Sequence, residues 1–299
     1  MIVRNKWIWI TLGLGAFFML SALIALFAVN LIFGDSSELN VGSGVGVVEV
    51  RGIILDPQET VKQLNDFAKD DKVKSVVLRI DSPGGVVGPS QEIWSAVKKL
   101  KQKKKVIASM GSVAASGGYY IAAPASLIYA NPGTITGSIG VLMKFSNLEG
   151  LMEKVGMKSF TLKTGKYKDV GSTTRKMTDD ERAMLLSVIE NTHTQFVKAV
   201  AEGRSLPEAK VRELADGRIF SGEQAMGYKL VDRLGTLQDA IEEAGKLGGI
   251  SGEPRVIKPP KKKHYLLDML VEESAGRFGN LIRKDKGFSL SYELEGIEE

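Results

Sequence analysis

The sequence predicts an α/β domain whose strands pair in parallel. β-rich runs alternate with amphipathic helical stretches from Val45 onward, and strands separated by helices of that length pair in parallel. A buried-strand run, Val106–Met110, passes through a small-residue turn into the apolar Ile121-Ala122-Ala123, the strand–turn–helix texture of such folds. At 299 residues with 43% hydrophobic content, the chain is long enough for a sizeable core.

The elements follow in order. Residues 1–6 carry Arg4 and Lys6, and no charge occurs from Trp7 to Phe33. An apolar stretch of this length crosses a bilayer as a helix and exceeds the core of a cleaved signal peptide. Asp35 and Glu38 follow it, so the positive-inside rule leaves residues 1–6 in the cytoplasm and sets the rest outside. Membrane lipid is then the partner of residues 7–33, with Trp7 and Trp9 at the headgroup boundary. A long signal peptide cut near Asn30–Ser37 is the competing reading, and the small-residue cleavage pattern there is poor.

Residues 34–44 form a glycine-rich linker. The main domain, 45–248, holds strands at Val45–Val50, Val73–Ile80, Val106–Met110 and Leu127–Ala130, with helices at Pro57–Lys69 and Ser90–Leu100 between them. Leu148–Val155 and Lys158–Leu162 read as a further helix–strand unit. Thr178-Asp179-Asp180-Glu181 is a capping box opening a long helix to about Gly203. Shorter helices start at Leu206-Pro207-Glu208, at Ser221 as N-cap, and at Leu237. Residues 249–299 form an extension with a basic run, Lys258–Lys263, a helix over Tyr265–Phe278 and a terminal tail, Gly287–Glu299.

Composition narrows the chemistry. The chain has no cysteine, which excludes disulfides, thiolate metal sites, a cysteine nucleophile and a lipoprotein anchor. The net charge of +5 is scattered or in short runs, so nucleic acid is not the expected partner. The run Lys98–Lys105 ends a helix, where cations face solvent and suit the dipole.

Three glycine-bearing turns close consecutive strands: Asp81–Gly85, Gly111–Gly118 and Thr134–Gly140. In a parallel α/β sheet the carboxyl ends of strands converge on sites. Ser116, on a strand-to-helix turn, has the setting of a nucleophile. Gly84, Gly85 and Gly117 can present backbone N–H groups to an oxyanion, each such donor being worth about 3–4 kcal/mol of barrier. The base is harder to find. His193 lies inside the long helix and His264 beyond the lysine run, and neither is on a strand-end turn. A lysine is the variant base, provided its surroundings keep it deprotonated. Lys163, Lys166 and Lys168 share one segment, and spacing does not choose among them.

Five motifs in order are similar to those of the signal peptide peptidase A family, membrane-anchored bacterial serine proteases with a Ser/Lys dyad. They are Ser82–Gly85, Ala114–Tyr120, Thr136–Gly140, Gly165–Asp169 and Ser221–Ala225, within a match from about Val45 to Gly245. The length resembles the short single-domain members. The resemblance implies a ClpP/crotonase-like α/β fold, Ser116 as nucleophile, Lys168 as general base and Ser138 orienting the lysine. It implies Gly85 and Gly117 as oxyanion donors with Gly84 as the alternative to Gly85, and no cofactor. Substrates would be hydrophobic peptides such as released signal peptides, cleaved without ATP outside the cytoplasmic membrane. Homo-oligomeric rings or domes are also implied, with Lys168 supplied by the same subunit or a neighbour.

Two other functions remain open on the same fold, an acyl-CoA enzyme of the crotonase type and a non-catalytic membrane scaffold. The tail segment Phe288–Tyr292 is β-prone and is expected to add as a strand in a neighbour's substrate groove.

Overall fold

Strand β1 (Gly44–Arg51) lies parallel to β2 (Val73–Ser82), with Val48 opposite Leu78 and Val50 opposite Ile80. Parallel strands so joined are covered on both faces and read as near-continuous apolar runs. Alternate side chains explain the two layers that cover them. Val48, Val76, Leu78, Val106 and Ala108 face one buried cluster, which includes Leu64 and Phe67 of helix α1 (Gln58–Lys69) and Ile93 and Val97 of helix α2 (Val87–Lys101). Val45, Val47, Val77 and Ile107 face a second cluster with Ala240, Ile241 and Ala244. Each fully buried aliphatic side chain contributes about 1.5–3 kcal/mol of transfer free energy.

The computed structural model describes residues 13–15, 17–24, 42–260 and 291–293. The chain divides into two units, Met1–Gly42 and Ser43–Glu299. In the first, residues 13–15 and 17–24 are helical, and the Ser21 hydroxyl donates to the Phe17 carbonyl at 2.7 Å. No helix among the described residues is long and apolar enough to cross a membrane. Most of the expected span 7–33 falls outside those residues, as do the expected helix Tyr265–Phe278 and most of the tail.

In the second unit, β3 (Gly84–Val86) follows β2 directly and leads into α2. Strand β4 (Lys105–Ala115) is the central strand, with β2 on one edge. Its other edge is shared by β5 (Leu127–Ala130) along Ile107–Ser109 and β6 (Ile135–Gly137) along Val113–Ala115. Helix α3 (Gly117–Ala122) leaves the end of β4. After the exposed α4 (Glu149–Lys154) comes the long α5 (Asp179–Arg204), whose Phe196, Val197 and Val200 enter the first cluster. The Thr178 capping box expected for it is present. Helix α6 (Glu208–Leu214), strand β7 (Ile219–Ser221) and helix α7 (Gly222–Gly227), N-capped by Ser221, follow. Strand β8 (Arg233–Leu234) pairs with β5. Helix α8 (Leu237–Leu247) supplies the second cluster's Ala240, Ile241 and Ala244. The sheet continues past Gly248, because β9 (Val256–Ile257) pairs with β1. All pairings in this sheet are parallel except that of β7 with β6.

Two expectations are corrected. Gly111–Ala115 is not part of a turn; β4 runs through it to Ala115. A shift in register between Ile80 and Ser82 lets the strand bend, and the Asp81 carboxylate accepts the Val113 N–H at 3.1 Å. A Cβ on Gly111 would fall 2.6 Å from the Asp81 carboxyl carbon, so a side chain there would displace the carboxylate from this place. Lys158–Leu162 alternates like a strand but is exposed and, among the described residues, pairs with no strand.

Candidate active site

The bend in β4 aims Ser116. Its backbone sits at φ 53° and ψ −117°, outside the regions an L-residue ordinarily occupies. Such a conformation persists only where the surroundings hold it, and it marks functional turns. Here the Ser116 N–H donates to the Gly137 carbonyl at 2.8 Å, and the Ser116 carbonyl accepts the Tyr120 N–H at 2.8 Å. Tyr119, fully buried in α3, anchors that helix through a 3.0 Å hydrogen bond from its hydroxyl to the Leu230 carbonyl. Burial pushes its phenol well above the usual range.

Ser138 is likewise in the left-handed region, φ 49°, with its N–H donating to the Arg218 carbonyl at 2.8 Å. Ser116 and Ser138 line one cavity of about 450 Å³, together with the apolar Val141, Leu142 and Ile189. His193 lines it too, although its place inside a helix argued against a role. Its Nε2 is 2.8 Å from the Ala215 carbonyl, an acceptor, so the proton is on Nε2. No sequence signal could have brought His193 here, because α5 crosses the site only in three dimensions.

The glycines meet Ser116 from the neighbouring turn. A Cβ on Gly117 would lie 2.8 Å from Ser90 Oγ and 3.1 Å from the Gly85 nitrogen. Gly117 is the first residue of α3, where an N–H has no partner inside the helix. Gly84 N–H donates to Ser82 Oγ at 3.1 Å, and its carbonyl accepts the Ile54 N–H at 2.8 Å. Val86 N–H in turn donates to the Ile54 carbonyl at 2.8 Å. Backbone groups alternate along a strand, so the N–H and carbonyl of Gly85 point away from Ile54, toward the opposite edge of β3.

That edge is occupied. Strand β10 (Ser291–Glu293) runs antiparallel to β3, with Tyr292 opposite Gly85, Ser291 opposite Val86 and Glu293 opposite Gly84. The tail therefore adds as a strand, within its own chain.

Lys168 is elsewhere. It is exposed, on a loop beyond α4, and is not among the residues lining the Ser116 cavity. The same stretch exposes a run of large apolar side chains, including Phe160 at 86% and Leu162 at 92%. The loop is tied to α5 by Arg175, which bridges Asp169 and the buried Glu181. Arg175, and then the Thr178 N–H, hold the Glu181 carboxyl down at about 2. A carboxyl depressed in the folded state stabilises it above the unfolded value and loses that contribution as pH falls through the folded one. The tie is therefore complete at neutral pH and is lost from about pH 4 to about pH 2. Melting temperatures measured across that window should fall less steeply for Glu181→Gln than for the parent chain.

Comparison with known proteins agrees with this architecture. Residues 56–130 match Clp protease, in keeping with a mixed α/β fold built on a parallel-rich sheet. Residues 98–251 match Peptidase family S49. A Synechocystis sp. protein provisionally named a protease is 47% identical over 204 residues, 68% of this chain and 74% of that protein. An Enterococcus faecium protein provisionally named signal peptide peptidase SppA is 33% identical over 279 residues, 81% of each chain. Protease 4 of Salmonella typhi is 34% identical over 216 residues, 69% of this chain but 35% of that protein. The chain belongs to Peptidase family S49, as a serine protease of the SppA type.

Proposed function

We propose that this peptidase cleaves extended apolar peptides, such as spent signal peptides, without ATP, from a membrane anchor at residues 7–33 with its catalytic domain outside the cytoplasmic membrane. One observation carries the reading. The edge of β3 beside Ser116 accepts an extended backbone in antiparallel register, with Gly85 N–H facing the added strand. Strand addition is how many peptide sites hold main chain without regard to sequence. An acyl-CoA site would use the oxyanion donors but has no need of such a strand slot. The name of the Enterococcus relative supports the substrate class, and the charge asymmetry around residues 7–33 supports the anchor.

In the proposed reaction Ser116 Oγ attacks the scissile carbonyl while the Lys168 amine takes its proton. The carbonyl oxygen becomes an oxyanion held by the N–H groups of Gly85 and Gly117. Collapse breaks the C–N bond, and Lys168 returns the proton to the leaving amine. Water, deprotonated by the same lysine, then hydrolyses the acyl-enzyme and frees Ser116. Ser138, on the wall of the same cavity, orients the lysine. A second copy of the chain supplies that lysine: Lys168 sits on a stretch whose exposed apolar side chains suit burial against another subunit.

The tail gives the test. Strand β10 occupies the edge a substrate would take, so removing Gly287–Glu299 should lower KM for an apolar fluorogenic peptide several-fold, with hydrolysis needing no ATP. Absence of peptide hydrolysis by both forms, or turnover of acyl-CoA instead, would sink the proposal.

A further inference from the structure

The loop bearing Lys168 is held by a charge cluster that the reaction itself does not use. Asp169, the next residue, accepts from Arg175 Nε at 3.0 Å and from Nη2 at 2.8 Å, and its carbonyl accepts from Nη2 at 3.3 Å. The other side of the same guanidinium grips Glu181, with Nη1 donating to Oε2 at 2.9 Å and Nη2 to Oε1. Lys163 also donates to the Asp169 carboxylate, and Lys166 pairs with Asp180. Glu181 side-chain exposure is 3%, and it stands in the first turn of α5, whose far half is core. A planar guanidinium bonded on both sides fixes orientation as well as distance, which a lysine cannot do.

We infer that Arg175 is a positioning residue for Lys168, holding its loop on the first turn of α5 and keeping the Asp169 carboxylate engaged. This rests on the assignment of Lys168 as the base. One physical consequence makes the clamp matter. A loop without buried side chains has little else to fix it, and misplacing a reacting group by about 1 Å costs about 100-fold in rate. Lys163 and Arg175 face Asp169 and Glu181, so the charges of the cluster are balanced. The pKa directions agree: both carboxyls are held low, first by Arg175 in each case.

The test is a double-mutant cycle on the full chain, reading kcat and KM for peptide hydrolysis. Arg175→Met should lower kcat about 10- to 100-fold with KM little changed, and Arg175→Lys should recover only part of it. In the Lys168→Ala background the same change should cost nothing more, because its effect passes through the lysine. Glu181→Gln, which keeps the capping box, should show a smaller loss with the same non-additivity, and it serves if Arg175→Met does not fold. Full turnover by Arg175→Met, or a loss that adds to that of Lys168→Ala, would overturn the clamp alone. A fully active Lys168→Ala would overturn the base assignment and the clamp together.

Discussion

Ser116→Ala should abolish labelling by a fluorophosphonate probe and lower kcat for peptide hydrolysis about 10⁴- to 10⁶-fold. That range corresponds to about 5–8 kcal/mol of transition-state stabilisation. The size follows from the chemistry: without an oxygen at this position there is no acyl-enzyme, and only the oxyanion donors and binding remain. The change should leave the fold intact. Ser116 is buried, but its turn is held through its backbone, by Gly137 and Tyr120, rather than through its hydroxyl. Unchanged thermal melting alongside lost labelling is the expected pair of results. Labelling that persists in Ser116→Ala would place the nucleophile elsewhere.

Lys168→Ala should lower kcat about 10²- to 10⁴-fold, the usual contribution of a general base. More telling is a mixture. Within the chain Lys168 does not line the Ser116 cavity, so a dyad shared between subunits predicts complementation. When Ser116→Ala and Lys168→Ala subunits assemble together in equal amounts, half of the sites keep the serine. Half of those face an intact lysine across a head-to-tail contact, so about one quarter of parental activity should return. Each variant alone stays inactive. Mixed oligomers without activity would place the dyad within one subunit. If Lys168→Ala is active and His193→Ala is not, the base is His193, which already stands in the cavity wall.

Much of this site is legible in the residues themselves. A serine flanked by Ala115 and two glycines at a strand end signals a nucleophile turn because such a backbone is tolerated only with small neighbours and a helix behind it. The helix starts at Thr178 and Ser221 were equally readable, since a capping box is a local contact over four residues. What was not readable is contact between distant segments. Gly84 and Gly85 look alike in sequence; Ile54, thirty residues upstream, distinguishes them by taking the Gly84 carbonyl and leaving the Gly85 N–H on the edge along which β10 lies. The alternation at Lys158–Leu162 failed as a strand signal because period two states a preference, whereas a strand needs an edge to pair with.

The chain's own residues thus settle an α/β domain with parallel pairing, the capped helix starts at Thr178 and Ser221, the absence of thiol chemistry and a small set of serines, glycines and lysines as the chemistry to consider. These depend on periodicity, capping and composition, which act over a few residues. The fold alone decides that β10 lies along β3, that His193 reaches the Ser116 cavity, and that Lys168 stays outside it on a loop pinned by Arg175. Each of those is a meeting of segments tens to hundreds of residues apart, and such meetings follow from how the sheet faces and helices bury their apolar area together.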